Sequence, residues 1–330
     1  MRIFTNEVAT ENALKRADDH VKAFAWQDPL AFGRLVAGND LETFANSRSF
    51  AYAAASWDED NVVEEDFKLR NMELSSAFES GEDVCLLFGG SLTDQLQLAQ
   101  ILGWLSERPI PEQAKAKLMQ VDGSLSVFGD GALLEIAKVA ESIPAGTHAI
   151  YAIAWDAVSG SDPFAVEAAL ERASFEGLAS LAAGLARWLQ ELPSQENGLS
   201  ISQLQTLDAV RLGVTSPRDL YAAVQATEET PFRIDWEFWA VIDGLCSGSD
   251  PLLRTVSGSP FLCPPRDLAF EAFDAQLLEL TPRGIALLSG SGNYLGGSFP
   301  ERWLGGFKID AESSVFWDYA ARKIVGTVDV

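Results

Sequence analysis

Histidine and cysteine are scarce in this sequence. Its 330 residues include two histidines, His20 and His148, and a Ser-His-Asp or Cys-His catalytic unit would need one of them. Neither stands in a nucleophile-elbow pattern, so a helix-end or surface position is the simpler interpretation of both. Cys85, Cys246 and Cys263 form no CxxC pair, which argues against a zinc knuckle and against a disulfide framework. We therefore expect a protein of the reducing cytoplasm, and no motif indicates a cofactor.

Basic clusters and long apolar runs are also absent. Lys and Arg number 24 against 48 Asp and Glu, which gives a net charge of −24 at pH 7. Binding to DNA or to an anionic membrane depends on clustered positive charge, so this balance argues against both. The chain begins without a signal-peptide pattern, and no run reaches the roughly 20 apolar residues of a membrane span. The hydrophobic content of 47% is nevertheless that of a globular protein, with enough length for two or three domains.

Residues 82–105 carry the clearest structural pattern. The apolar run 84–88 predicts a strand that is buried on both faces. Gly89 and Gly90 break the run, and Ser91 is placed to cap a helix that has Asp94 at its third position. A strand, a glycine turn and a helix make half of a βαβ unit, in which ligands bind at the carboxyl end of the strand.

The turn of Gly89, Gly90 and Ser91 has two interpretations. Backbone N–H groups at the start of a helix can hold an anion, or the glycines can form a tight turn before the cap. No GxGxxG pattern and no P-loop lysine accompany the turn, and Asp94 would repel a phosphate. The tight turn is the simpler interpretation.

Polar residues also follow the two earlier predicted strands. The strands at 2–4 and 21–26 lead to Asn6 and Asp28, as the strand 84–88 leads to Asp94. If the three strands are parallel neighbours, these side chains converge on one crevice, where carboxylates bind a divalent metal or transfer protons. Caps and turn formers are the simpler interpretation of the same residues. The candidate ligand-binding residues are Asn6, Asp28, Gly89, Gly90, Ser91, Asp94 and Gln95, with Asp28 and Asp94 as the catalytic candidates.

The rest of the chain divides into a helical part and a third unit. Residues 145–198 are helical in pattern, although 149–155 favour a strand. From Ser200 on, the pattern predicts three helices, which begin at a capping box of Ser200 with Gln203, at Ser216 and at the cap Asp235. With strands at 252–256 and 277–280 and a closing helix capped by Thr281, this order predicts a winged helix. The sequence thus predicts an α/β fold with three parts: a Rossmann-like parallel-sheet domain over 1–144, a helical linker or bundle over 145–198, and a winged-helix-like α+β domain with a C-terminal tail over 199–330.

The third helix of a winged helix normally enters the DNA major groove. Here it carries Asp235, Glu237 and Asp243 beside two tryptophans, with Arg233 just before it. Base readout needs Arg, Lys, Asn or Gln, whereas an aromatic face with few basic residues is typical of a protein contact. A protein partner or a packing role is favoured over DNA.

Motifs spread over nearly the whole chain carry a family resemblance. The most specific is Asp94-Gln95-Leu96-Gln97-Leu98, followed by Gln100-Ile101-Leu102. The others are Trp26-Gln27-Asp28-x-Leu30 with Gly33, Trp57 with Asp66-Phe67 and Arg70, Pro193-Ser194 with Asn197-Gly198-Leu199-Ser200, Leu280-Thr281-Pro282, and Arg302-Trp303-Leu304-Gly305-Gly306. With these motifs the chain resembles the bacterial family called domain of unknown function 1835, for which the resemblance implies no established activity.

The departures from the family pattern fall on polar positions. Members commonly have Asn-Gly-Asp-Ser after the first strand, where this chain has Asn6-Glu7-Val8-Ala9. The usual His and Pro of the second loop are replaced by Ala31 and Arg34, and the usual Glu-His-Asp before the most specific motif by Gly89-Gly90-Ser91. The resemblance therefore implies a site that has lost ionisable groups.

Three functions are consistent with these patterns. The first hypothesis is a non-catalytic cytoplasmic protein that binds a small-molecule ligand or a protein partner in a regulatory role, because the scaffold persists without the ionisable groups. The alternative is a metal-dependent enzyme acting on a nucleotide-like or phosphorylated small molecule, with Asp28 and Asp94 as metal ligands or bases. A transcriptional regulator is the third.

Overall fold

A five-stranded sheet forms the centre of the N-terminal part. The computed structural model describes residues 1–54, 62–144, 146–229, 234–263, 270–295 and 299–327. The strands, in chain order, are β1 (Arg2–Thr5), β2 (Lys22–Ala25), β3 (Val84–Phe88), β4 (Ala116–Gln120) and β5 (Glu141–Ser142). Their spatial order is β2-β1-β3-β4-β5, with the first four parallel and β5 antiparallel to β4. The predicted parallel sheet is confirmed, and β3 is buried along its whole length.

Helices cover both faces of this sheet. They are α1 (Val8–Ala17), α2 (Leu41–Ala54), α3 (Val62–Glu79), α4 (Leu92–Ser106), the short α5 (Ile110–Gln113) and α6 (Asp130–Lys138), with a 3₁₀ turn at Leu125–Val127. Side chains alternate along β3, so Cys85 and Leu87 pack with α1 and α6, while Val84, Leu86 and Phe88 pack with α4. The result is a three-layer α/β/α arrangement. The sequence pattern predicts a helix over 57–79, which corresponds to α3, but 57–61 lie outside the described residues.

Three further helices, α7 (Thr147–Ser159), α8 (Pro163–Phe175) and α9 (Ala179–Leu189), form the part predicted as a linker. They belong to the same hydrophobic cluster as the sheet and α4, through residues such as Tyr151, Trp155 and Leu185. The strand predicted at 149–155 is wrong, because these residues lie inside α7. A short apolar run in a buried helix has no periodicity that separates it from a buried strand.

The third unit has its own core and the predicted order of elements. Its helices are α10 (Ile201–Arg211), α11 (Pro217–Gln225) and α12 (Asp235–Cys246); β6 (Leu253–Thr255), α13 (Phe270–Asp274), β7 (Leu278–Leu280) and α14 (Pro282–Leu288) follow. β6 and β7 pair in antiparallel fashion. Ser200 and Gln203 form the predicted capping box, and Ser216 and Thr281 cap their helices as expected. Asp235 was predicted as a cap, but it is the first residue of α12, and the cap position belongs to Ile234.

The C-terminal strands return to the N-terminal part. They are β8 (Arg302–Leu304), β9 (Phe307–Ile309), β10 (Val315–Asp318) and β11 (Lys323–Gly326), which pair as two hairpins. Gly305 adopts a φ of +60° in the first hairpin, and its carbonyl oxygen accepts a hydrogen bond of 3.0 Å from Leu35 N. Among the described helices, none combines the length and the apolar character needed to cross a membrane.

Candidate functional site

The carboxyl ends of β1 and β3 define the natural binding position of this fold. In the sheet, β1 and β3 are neighbours, with β2 beside β1 and β4 beside β3. The chain therefore crosses from β1 to β2 on one side and from β3 to β4 on the other. A crevice opens between the ends of β1 and β3, where the two crossovers diverge. This junction crevice has a volume of about 140 Å³. On the α/β side its walls include Asn6, Glu7, Asp28, Ser91 and Asp94. The convergence of Asn6, Asp28 and Asp94 that the strand ends predict is therefore present.

The opposite wall of the junction crevice comes from the winged-helix unit. Tyr221 and Gln225 of α11 and Ile234, just before α12, line it. Gln225 Nε2 donates a hydrogen bond of 3.0 Å to the Tyr221 hydroxyl. A molecule in this crevice would contact both units at once.

Asp94 is the most perturbed acid of the crevice. Its N–H donates to Ser91 Oγ at 3.1 Å, which forms the predicted helix cap. The residue is only 3% exposed, and this burial raises the pKa of its carboxyl to about 6. Hydrogen bonds from Ser91 and Asn6 oppose the rise, and the charge of Glu7 adds to it. Asp94 therefore changes its charge close to neutral pH.

Glu7 is a second carboxyl in the same wall. It precedes α1, and its burial raises its pKa although Thr10 donates a hydrogen bond to it. Two carboxyl groups with raised pKa values thus share a small space, and each makes ionisation of the other more costly. Glu7 directly follows the candidate residue Asn6. Its position just after β1 is the feature of the sequence that could have identified it as a site residue.

Asp28 lies in a different chemical setting from Asp94. Its side chain is 0% exposed, and Arg48 of α2, also 0% exposed, donates to both carboxylate oxygens. The Tyr52 hydroxyl donates to Oδ1 at 3.3 Å, and Arg70 Nη2 lies 3.9 Å from Oδ2. The carboxylate is thus surrounded by partners from α2 and α3, and it contributes to the wall as the anchor of its loop.

Gly89, Gly90 and Gln95 hold the turn after β3 in place. Gly90 N donates to the Gly123 carbonyl oxygen at 3.0 Å, so this N–H is not directed at an anion. Gln95 is fully buried, with Nε2 donating to Gly89 O at 2.8 Å and Oε1 accepting from the Tyr151 hydroxyl at 3.1 Å. The crevice walls do not include these three residues. Their contacts are those of a tight structural turn.

Gln97 was not among the candidates, although it lines the crevice one turn after Asp94. It is 2% exposed, and its Nε2 donates to the Asp28 carbonyl oxygen at 3.1 Å. Its Oε1 is buried and accepts no hydrogen bond from the described part of the chain. A buried acceptor without a partner costs about 1–3 kcal/mol, which makes Oε1 a position that a bound donor would satisfy.

The remaining candidates for chemistry lie elsewhere. His20 is highly exposed beside Asp19, and His148 is buried in α7, where desolvation lowers its pKa. Within the described ranges, no three His, Cys, Asp or Glu side chains come together as ligands for a metal ion. In α12, Asp243 is the single exposed residue, while Glu237, Phe238 and Trp239 are buried. Arg233 lies outside the described residues.

Comparison of the chain with protein-family models finds no match, and comparison with curated proteins finds none either. The site is therefore interpreted from its geometry and chemistry.

Proposed function

We propose that this chain is a non-catalytic ligand-binding protein with a regulatory role, and that the junction crevice is its ligand site. The observation that carries the proposal is the composition of the walls, in which Asn6 and Asp94 of the α/β part face Tyr221 and Gln225 of the winged-helix unit. Because a ligand there touches both units, binding changes the free energy of their contact. That is the requirement for a ligand-controlled regulator.

We propose that the protein is not catalytic because the Asp28 carboxylate has a structural role. Both of its oxygens accept hydrogen bonds from Arg48, so its lone pairs are not directed at a metal or a substrate proton. The sequence motifs and the replaced polar positions are the basis on which we propose that the chain is a divergent member of the family called domain of unknown function 1835. A cytoplasmic location is part of the same proposal.

An enzyme is the second candidate because of Asp94. A carboxyl group with a pKa of about 6 suits general acid–base catalysis near neutral pH. A transcriptional regulator has less support, since α12 carries Asp235, Glu237 and Asp243 and contains no Lys, Arg, Asn or Gln for base readout.

A thermal-shift panel tests the proposal. Purified protein is screened against cationic, neutral and anionic metabolites, and against nucleotides with and without Mg²⁺ or Mn²⁺. We expect a ligand whose stabilising effect is lost in both Asn6→Ala and Tyr221→Ala, one from each wall. Conversion of that ligand to a product, with loss of turnover in Asp94→Ala, would establish the enzyme instead.

A further inference from the structure

A second and larger space adjoins the junction crevice. This aromatic cleft has a volume of about 420 Å³, and Gln27, Pro29 and Ile234 belong to the walls of both spaces. Much of its apolar surface comes from four aromatic rings and four branched aliphatic side chains. They are Phe24, Tyr52, Phe67, Trp236, Val8, Val63, Leu69 and Ile234. A cleft of this size and lining suits a ring system of the size of an indole.

Two charged residues of the aromatic cleft, Arg70 and Glu11, have charged partners outside its walls. Arg70 lies over the Phe67 ring, 3.9 Å from its centroid, and faces the Asp28 carboxylate at 3.9 Å. Glu11 pairs with Lys15 and accepts a hydrogen bond of 2.8 Å from Ala25 N. Asp66 contributes a further carboxylate to the wall. The cleft therefore offers an apolar body whose charged wall residues are two carboxylates, Glu11 and Asp66, and one guanidinium, Arg70.

The junction crevice, in contrast, is rich in acceptors. Glu7 and Asp94 contribute carboxyl groups, and none of the described residues that line it is a Lys or an Arg. Gln97 Oε1 is a buried acceptor that receives no hydrogen bond from the described residues. A ligand that supplies several N–H donors and one positive charge matches all three groups, because an ammonium has three donors and no acceptor.

We propose that the two adjoining spaces together bind an aromatic amine, with the ammonium group in the junction crevice and the ring in the aromatic cleft. The inference rests on the proposed function, which requires a ligand in the crevice, and it adds the chemical class of that ligand. A phosphorylated ligand fits poorly, since Glu7 and Asp94 would face its negative charge and no basic residue lines the crevice among those the structure describes.

Three indole compounds of similar shape test the charge of the ligand. Tryptamine carries an ammonium, tryptophol a neutral hydroxyl and indole-3-propionate a carboxylate, and their affinities are measured by ligand-observed NMR on the full chain. A charge-assisted hydrogen bond is stronger than one between neutral groups, so we expect tryptamine to bind at least about tenfold more tightly than either analogue. Ethylamine, which lacks the ring, should bind more weakly than tryptamine.

Matched variants test whether the ammonium group binds in the junction crevice. Asp94→Asn should reduce the affinity for tryptamine by about tenfold or more and change the affinity for tryptophol by no more than about twofold. Glu7→Gln should also reduce the affinity for tryptamine. Asp122→Asn removes an equal charge from an exposed position outside the crevice and should change neither affinity. In the aromatic cleft, Trp236→Leu should weaken tryptamine and tryptophol alike.

Two results would overturn the inference. One is equal or tighter binding of tryptophol or indole-3-propionate, and the other is an equal response of tryptamine to Asp94→Asn and Asp122→Asn. If indole-3-propionate binds in a manner sensitive to Asn6→Ala and Tyr221→Ala, the ligand class is wrong while the crevice is still a ligand site. Absence of binding by all three indoles rejects the aromatic amine, and the metabolite panel then decides the proposed function separately.

Discussion

Arg48 and Asp28 form a two-point ion pair in which both side chains are completely buried. Arg48 Nε donates to Asp28 Oδ1 at 3.0 Å, and Nη2 donates to the same oxygen at 2.7 Å. The remaining guanidinium donors reach the carbonyl oxygens of Phe32 at 2.6 Å and Pro29 at 2.9 Å. One side chain of α2 thereby fixes the loop after β2, and that loop supplies walls to both spaces of the site.

Removal of Asp28 is expected to destabilise the protein strongly. In Asp28→Ala the Arg48 charge stays buried without its partner, and the loss of one member of a buried pair typically costs about 3–5 kcal/mol. The free energy of unfolding, from urea denaturation followed by circular dichroism, measures this loss. Asp208→Ala, which breaks an exposed pair with Arg211, is the control and should cost less than about 1 kcal/mol. Similar losses in the two variants would contradict a structural role of the buried pair.

Asp94 should make stability depend on pH. Its pKa is about 6 in the folded protein against 3.8 for an ordinary aspartate, so the folded state binds more protons between these values. Stability therefore decreases as the pH rises from about 4 to about 6, and the full loss, up to about 3 kcal/mol, is present above that window. Asp94→Asn removes this titration, and its stability relative to wild type should rise with pH across the window.

The measurement for Asp94 is the free energy of unfolding of wild type and variant at a series of pH values from about 4 to about 7. Asp122→Asn, at an exposed position, serves as the control and should run parallel to wild type. A constant difference between Asp94→Asn and wild type over the whole range would show that burial of Asp94 does not set its protonation.

Local patterns of the sequence predict most of the α/β fold. The apolar run of β3, the cap at Ser91 and the box at Ser200 are signals contained in a few neighbouring residues, and each is found in the structure. Helix α2 escapes prediction, since its apolar residues form no clear stripe and its stability comes from contacts such as Arg48 with Asp28. Local pattern also fails for α7, whose burial by neighbouring helices determines its conformation.

The site is predicted less completely than the fold. Strand-end positions identify Asn6, Asp28 and Asp94 as neighbours, because parallel strands bring their carboxyl ends together. The sequence gives no indication that Arg48 would neutralise Asp28, since the pair depends on how α2 packs over the sheet. Tyr221 and Gln225 are equally hidden, because they reach the crevice only through the docking of a separate unit.

Gly89 should not tolerate a side chain. A Cβ there would lie 2.6 Å from Asp94 Oδ2 and would also overlap the Gly123 carbonyl oxygen. The backbone of Gly89 is not in the left-handed region, so the cost of Gly89→Ala is steric, about 1–3 kcal/mol in unfolding free energy. Gly244→Ala is the control, since a Cβ at this position inside α12 meets open space. This substitution should increase the free energy of unfolding by about 0.5–1 kcal/mol, because Ala favours a helix over Gly. A neutral Gly89→Ala would mean that the turn after β3 has room to move.

Glu237 connects the winged-helix unit to the loop after β2. Its carboxylate is fully buried, with Oε1 accepting from Ala31 N and Oε2 from Ile234 N, both at 3.1 Å. Glu237→Ala removes the acceptor of two N–H groups, and a buried donor left without a partner costs about 1–3 kcal/mol. Besides this loss, we expect faster hydrogen exchange of the Ala31 amide, measured by NMR.

Two comparisons separate this contact from a general loss of stability. The Leu35 amide, which donates to Gly305 O at 3.0 Å in the same loop, should keep its protection in Glu237→Ala. Glu279→Ala, which breaks an exposed pair with Arg254, should leave the exchange of Ala31 unchanged. If Ala31 exchanges at the wild-type rate in Glu237→Ala, the loop after β2 does not depend on α12. In that case a ligand in the junction crevice would have to couple the two units through Tyr221 and Gln225 instead.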